Sequence, residues 1–205
     1  MVLNDAELYY SLDDADLTGS DPNDLSGNGR NGTNNGADTG ATGDINEAFD
    51  NVAANADFLD CNYDMGATDW TICMKANVDS IASDYGYFST YSGGTANGIA
   101  LINDVSAPNI NIQSYAGGVL QHFISTNVGA NTGTWYDYVI TMTSGSTCTV
   151  YINTTDEGSG TDTGYTTNNH DLYIGKFAGT LEMDGKYDEI AVYSRVLTSQ
   201  EITGS

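Results

Sequence analysis

Residues 172–202 read LYIGKFAGTLEMDGKYDEIAVYSRVLTSQEI. Two short runs of alternating character, DLYIGKF and KYDEIAVYS, are separated by glycines and by the pair Asp184-Gly185, so the stretch divides into strands rather than forming one helix. In KYDEIAVYS, Ile190 and Val192 share one face at a period of two residues, and the same parity places Asp188 on that inward face. An inward carboxylate is costly unless it is paired or metal-bound, which makes Asp188 a candidate for function. Beyond it, Thr198-Ser-Gln-Glu201 has the T-x-x-E form of a capping box and predicts one short C-terminal helix.

The same grammar extends outward through the chain. ELYYSL places Leu8, Tyr10 and Leu12 on one face, and DWTICMKA, NGIALIND, PNINIQSY, GGVLQHFIS, TWYDYVITMT and TCTVYIN follow, separated by Gly, Asn, Asp and Ser clusters. Thr, Tyr, Val and Ile dominate these runs, as half-buried pleated surfaces prefer. Evenly spaced short strands with polar turns predict an all-β chain, an antiparallel two-sheet β-sandwich or jelly roll. No repeat, linker or low-complexity tail divides residues 1–205, so one domain is expected over the whole length.

Charge narrows the partners. The chain carries 28 Asp and Glu against five Lys and Arg, a net charge of −23. Nucleic acid is excluded as a partner, because phosphate binding needs clustered cations. No run reaches the 18 apolar residues of a membrane span, so no membrane insertion is expected. An acidic surface suits a saline setting, and surplus carboxylates suit calcium. Met1-Val-Leu leads into NDAELYYSL, without the basic and apolar regions of a signal peptide. Cys61, Cys73 and Cys148 have no CxxC spacing, which argues against zinc; Cys148 reads as a core residue, and a Cys61–Cys73 bridge is left open. The lone His122 and His170 supply no metal pair.

Three segments in order, DLSGNGRNGT, GTWYDYVITMTSGSTCTVYIN and the closing 172–202 stretch, resemble the concanavalin A-like, laminin-G-like jelly-roll family. The closing segment is the most specific, with Asp184-Gly185, Asp188-Glu189, Tyr193, Arg195, Leu197, Glu201 and Ile202 in step with it. AFDNVAANADFLDC and DWTICMKA resemble the intervening strands, and Trp70 and Trp135 fall at the family's core positions. Asn153-Thr154 replaces a usual Asn-Gly turn, and Tyr187 stands where an aliphatic residue is common. The resemblance implies two antiparallel sheets packed face to face, often with one structural calcium. It does not fix function, because the fold carries many.

Candidate sites follow. In DLSGNGRNGT, Asp24, Ser26, Asn28 and Gly29 match the opening of an EF-hand loop, but its twelfth position is Asn35 rather than Glu and no helices flank it. Alternating short oxygen side chains still suit a hard cation, so calcium is expected from Asp24 and Asn28 with Asp188. The resembling family also has a first-strand acid near this loop, which adds Asp13 or Asp14. The alternative is a glycine-rich turn held by its own Asx hydrogen bonds. Glu182-Met-Asp184 begins a paired-carboxylate glycosidase motif, but Lys186 and Tyr187 fail to complete it. For glycan binding, Tyr85, Tyr87, Tyr91 and Tyr115 are the candidate platforms; the alternative is that the tyrosines of YGYFSTY face the core.

The expected function is a non-catalytic, lectin-like carbohydrate-binding or adhesion module with calcium supporting its loops, extracellular or displayed on a virus particle. Glycans or cell-surface polysaccharide are the expected partners. A purely structural virion protein, contacting capsid or tail proteins, is the alternative, and a glycoside hydrolase ranks third.

Overall fold

The closing run forms the strand Gly185–Tyr193, which lies inside an eight-stranded sheet. A computed structural model describes residues 5–66, 69–105, 109–126, 128–144, 147–161, 170–179 and 181–204; the side chain of His122 lies outside the described residues. The first sheet runs Thr155–Thr161, Thr147–Ile152, Trp135–Met142, Trp70–Val78, Gly185–Tyr193, Glu47–Asn51, Asp38–Thr42, with Leu8–Tyr10 also paired to Gly185–Tyr193. A seven-stranded sheet runs Val119–Ser125, Asn109–Ala116, Gly98–Asp104, Tyr85–Ser89, Tyr173–Ile174, Phe58–Asp60, Thr33–Asn35. Every ladder in both is antiparallel. Among the described residues no helix is long and apolar enough to cross a membrane.

Alternation sorts side chains into layers. Tyr10, Phe49, Trp70, Ile72, Tyr87, Leu101, Ile112, Tyr138, Tyr187, Ile190 and Val192 fill the main core between the sheets. Cys73, Ala191, Tyr193 and Leu197 form a second cluster on the opposite face of the eight-stranded sheet, under the helix Ser199–Thr203. Cys61 belongs to the first cluster and Cys73 to the second, and both are free, which closes the question of a bridge between them. Cys148 is a core residue, as expected. Trp135 departs from its expected core position: it is half-buried, and its neighbour Tyr136 faces the main core instead.

The closing motif has structural reasons letter by letter. Gly185 has φ +142°, and a Cβ there would lie 2.4 Å from the Asn77 carbonyl oxygen, so no other residue fits. Arg195 pairs with Asp5 and with Glu201, tying the C-terminal helix to the start of the chain. Thr198 and Glu201 form the expected reciprocal capping box.

The turn at 153–154 has two positive-φ residues, Asn153 at 49° and Thr154 at 68°, closing the hairpin between Thr147–Ile152 and Thr155–Thr161. That is the conformation an Asn-Gly hairpin turn adopts without strain, whereas a β-branched threonine is crowded there. Replacing Thr154 by Gly is expected to raise stability by about 1 kcal/mol, after the entropy cost of glycine is subtracted. Urea denaturation checks this through a higher midpoint at unchanged slope.

Candidate functional site

Asp24 opens the DLSGNGRNGT loop, and its carboxylate is saturated by backbone donors. Oδ1 accepts the N–H of Tyr9 at 3.1 Å and of Ser26 at 2.9 Å, and Oδ2 accepts that of Arg30 at 3.0 Å. Burial opposes ionisation here, but those N–H groups and Ser26 outweigh it and hold the carboxyl below its usual range. Asn28 directs its amide nitrogen, not its oxygen, at the carbonyls of Ala6 and Glu7. Arg30 bonds Glu7 through both main-chain and side-chain oxygens. The loop is therefore an Asx-turn assembly that clamps the first strand, the alternative reading of its sequence.

Asp188 sits elsewhere. It is fully buried, and its Oδ2 accepts the Ile45 N–H at 3.0 Å. A Cβ at Gly43 would come within 2.8 Å of that oxygen. The expected parity with Ile190 is overturned by a bulge: Glu189 has φ +52°, and the register against Trp70–Val78 shifts between Asp188 and Ala191. Tyr187 and Ile190 both face the main core, so the bulge turns Asp188 away from it and beneath the 43–46 turn. Nearby, Asp13 accepts the Glu47 N–H at 3.0 Å and the Asn46 amide at 3.2 Å, and Glu189 accepts the Tyr9 hydroxyl at 2.7 Å.

Asp188 Oδ1 is buried with no hydrogen-bond partner among the described residues. Burial, with the charges of Glu189 and Asp13, pushes the Asp188 carboxyl up to about 7 despite the backbone N–H groups of Ile45 and Glu189. An orphaned, buried carboxylate oxygen is the position a hard cation fits, whereas Asp24 is already engaged by three backbone N–H groups and Asn28 presents donors. Among the described residues no three His, Cys, Asp or Glu side chains converge as a metal cluster. Calcium also takes main-chain carbonyls and water, so a single buried acid with one neighbour is compatible with it.

Of the four candidate tyrosines, Tyr85 and Tyr87 are core residues, 2% and 0% exposed. Their hydroxyls lie 3.3 Å apart, and Tyr87 packs on Tyr138 at 4.8 Å between ring centres. They offer no face to a ligand, as the alternative reading held. Tyr91 and Tyr115 instead lie on the outer side of the seven-stranded sheet with Ala100, Ile102 and Phe177. Their rings are stacked at 4.1 Å with 10° between planes, and Phe177 packs on both. Tyr115 remains half-exposed, and its hydroxyl donates to Gln113 Oε1. The bulge in YGYFSTYSGG splits the set, because Tyr85–Ser89 shifts register against Gly98–Asp104 near Leu101.

The two acids of the paired-carboxylate motif sit in different local settings. Glu182 ends the short strand Leu181–Glu182 opposite Lys176, whereas the Asp184 carbonyl accepts from Asp79 N–H at a turn. Unexpected from sequence are Phe58 and Tyr173, an edge-to-face ring pair at 5.5 Å on the outer side of the same sheet. A cavity of about 260 Å³ also opens beside the C-terminal helix, lined by Cys73, Lys75, Asp137, Glu189, Leu197 and Ile202 among others.

Replacing Asp24 by Ala removes the acceptor for three N–H groups and is expected to cost about 2 kcal/mol at pH 7. Its folded-state carboxyl lies below its unfolded value, so the contribution is present above about pH 4 and disappears as pH falls further. Denaturation of wild type and Asp24→Ala at pH 7 and pH 2.5 checks this: the gap should narrow in acid.

With this geometry established, the chain can be set beside known proteins. No curated protein sequence matches it. Domain 4 of AbnA, a GH43 extracellular arabinanase from Geobacillus stearothermophilus solved with arabinotriose, is similar in fold, with a TM-score of 0.78 and 20% identity over 97% of each chain. The binding domain of Paraclostridial Mosquitocidal Protein 1 gives 0.72 and 17%, over 100% of this chain and 52% of that one. Trypanosoma rangeli sialidase gives 0.71 and 16%, over 97% of this chain and 32% of the sialidase. At these identities the likeness establishes the two-sheet fold. Residues 50–203 match the family Laminin_G_3, and the chain accordingly belongs to the Concanavalin A-like lectin/glucanases superfamily.

Proposed function

We propose that the chain is a non-catalytic carbohydrate-binding module that uses the outer face of its seven-stranded sheet. The observation that carries this reading is the Tyr91–Tyr115 stack on that face, with the half-exposed Tyr115 braced by Gln113 and Phe177. A braced aromatic ring gives a sugar an apolar platform at little entropy cost, and neighbouring amides take its hydroxyls. The similarity to an arabinanase domain solved with arabinotriose supports the same reading. Such a module acts outside a cell or on a particle surface. Binding to neutral and acidic oligosaccharides by glycan array tests it, with Tyr115→Ala expected to weaken binding about tenfold, or ~1.4 kcal/mol, and no reducing ends released. Absence of any glycan binding, together with tight association with capsid or tail proteins, would replace it by the structural reading.

The proposal includes one calcium ion at the turn over Asp188, held by Asp188 and Asp13 rather than by Asp24 and Asn28. The orphaned Asp188 Oδ1 supports this placement. The ion would supply positive charge to a buried carboxylate and brace the turn over it. Calcium at one hundred times its Kd is expected to stabilise the wild type by about 2.7 kcal/mol relative to chelator. In thermal melts at pH 7.5, Asp188→Asn should lose that response and Asp24→Asn should keep it. An unchanged wild-type melting temperature removes calcium from the reading.

A further inference from the structure

Four of the chain's five cations are held by carboxylates: Arg30 by Glu7, Lys75 by Asp44 and Asp137, Lys186 by Asp50 and Asp79, Arg195 by Asp5 and Glu201. Among the described residues Lys176 is the exception. Glu182 is its cross-strand neighbour, and the ammonium sits 3.7 Å from the ring centre of Phe58 and 5.8 Å from that of Tyr173. Its contacts are therefore cation–π contacts, and its charge also acts on Asp60, holding that carboxyl down against burial.

The surroundings of Lys176 have the composition of a sugar site. Leu59 and Ile174 point into the core, so their strand neighbours Phe58, Asp60 and Tyr173 point outward. Tyr173 pairs with Asp60 on one side and Ser89 on the other, and Asp60 pairs with Thr33. Asp60 Oδ1 accepts the Asn62 N–H at 2.9 Å, and among the described residues nothing donates to its second oxygen. Asp171 lies close enough for its charge to act on both Asp60 and Tyr173. Phe58, Asp60, Asp171, Tyr173 and Lys176 are all half-buried.

This group is separate from the Tyr115 platform. A Cβ at Gly86 would lie 2.6 Å from the Lys176 carbonyl and from Phe177 Cβ, so the Lys176–Phe177 strand crosses directly over Gly86 on the outer face. Phe177 leans on Tyr91 and Tyr115 to one side of that ridge, while Lys176 leans on Phe58 and Tyr173 to the other.

We propose that Tyr173, Phe58, Lys176, Asp60 and Asp171 form a second sugar subsite, selective for neutral residues with vicinal hydroxyls. The inference rests on the carbohydrate-binding reading and adds to it a place and a ligand class. Tyr173 supplies the apolar platform, with Phe58 bracing both it and the ammonium, the carboxylates accept from hydroxyls and the ammonium donates to an oxygen. Asp60, Asp171 and Glu182 outnumber the one ammonium, so the carboxylate of a uronic or sialic acid meets net repulsion, which a neutral sugar does not.

Isothermal titration of the full chain with neutral arabino-, galacto- and manno-oligosaccharides, and with galacturonate oligomers of equal length, tests the subsite. Binding of at least one neutral series is expected, at least tenfold tighter than the galacturonate. Tyr173→Ala and the shape-preserving Asp60→Asn should each weaken it at least tenfold, with melting curves confirming the fold of each variant. Neutral binding unchanged in both variants but lost in Tyr115→Ala overturns the subsite and leaves the carbohydrate-binding reading standing. Galacturonate bound more tightly than every neutral series overturns the ligand class. No binding of any oligosaccharide by the wild type overturns the subsite and the broader reading together.

Discussion

The strand Gly185–Tyr193 must change partners halfway along one edge. Its first half pairs with Glu47–Asn51, through Gly185, Lys186 and Tyr187, and its second half pairs with Leu8–Tyr10, through Ile190, Ala191 and Val192. Between them, Asp188 and Glu189 have no strand on that edge, and the ladder opens. Backbone polar groups left open in a folded interior need partners. Carboxylates supply them: Asp188 takes the N–H of Ile45 and Asp13 takes that of Glu47, while Glu189 accepts the side-chain hydroxyl of Tyr9. The bulge at Glu189 is what aims Asp188 into the gap, so the fold's central joint and its strongest candidate for a cation are one feature.

That joint changes how the acidity of the chain is read. A solvated surface is the simple account of a net charge of −23. Many aspartates instead serve as local acceptors for loop N–H groups. Asp24 holds Tyr9, Ser26 and Arg30, Asp21 holds Asn34, Asp57 holds Val52, Asp84 holds Val105 and Asp69 holds Ser144. Short carboxylates are suited to this work, because an Asp reaches main-chain donors a few residues away and does so with a charge-assisted bond. In a sandwich whose connections are mostly irregular, such bonds replace the regular ladders that loops lack. The cations are then few enough that the position of each is informative, which is why Lys176 stands out.

Most of the architecture was legible in the sequence. The alternation of DWTICMKA and PNINIQSY, the capping box at Thr198 and the closing motif all describe what the chain does locally, and local rules hold there. The Asn-Gly departure at 153–154 was also visible and has a backbone cost to match. The candidate sites were harder. Asp188 was picked out correctly as a buried acid, but period-two counting cannot see a left-handed glutamate that resets the parity beside it. Strand parity makes Asp188 the inward carboxylate that would complete the Asp24 loop, yet only geometry tells that Asp24 already accepts three N–H groups while one oxygen of Asp188 is orphaned. Phe58, Tyr173 and Lys176 lie on three separate elements, and each alone reads as an ordinary strand residue. Tyr173 and Lys176 are near in sequence, but only the pairing of Phe58–Asp60 with Tyr173–Ile174 brings Phe58 to them.

The placement of Gly185–Tyr193 has a further consequence for how the molecule is made. Leu8–Tyr10 finds its ladder only on that strand, and Glu47–Asn51 and Trp70–Val78 lie on either side of it. During synthesis Leu8–Tyr10 therefore emerges well over a hundred residues before its partner, and the middle of the eight-stranded sheet stays open until Gly185–Tyr193 has been made. Closing so long a loop is entropically slow, and topologies dominated by such pairings fold late. A dense negative charge is useful over that interval, since like-charged nascent chains with exposed strand edges repel one another before the last strand seals them.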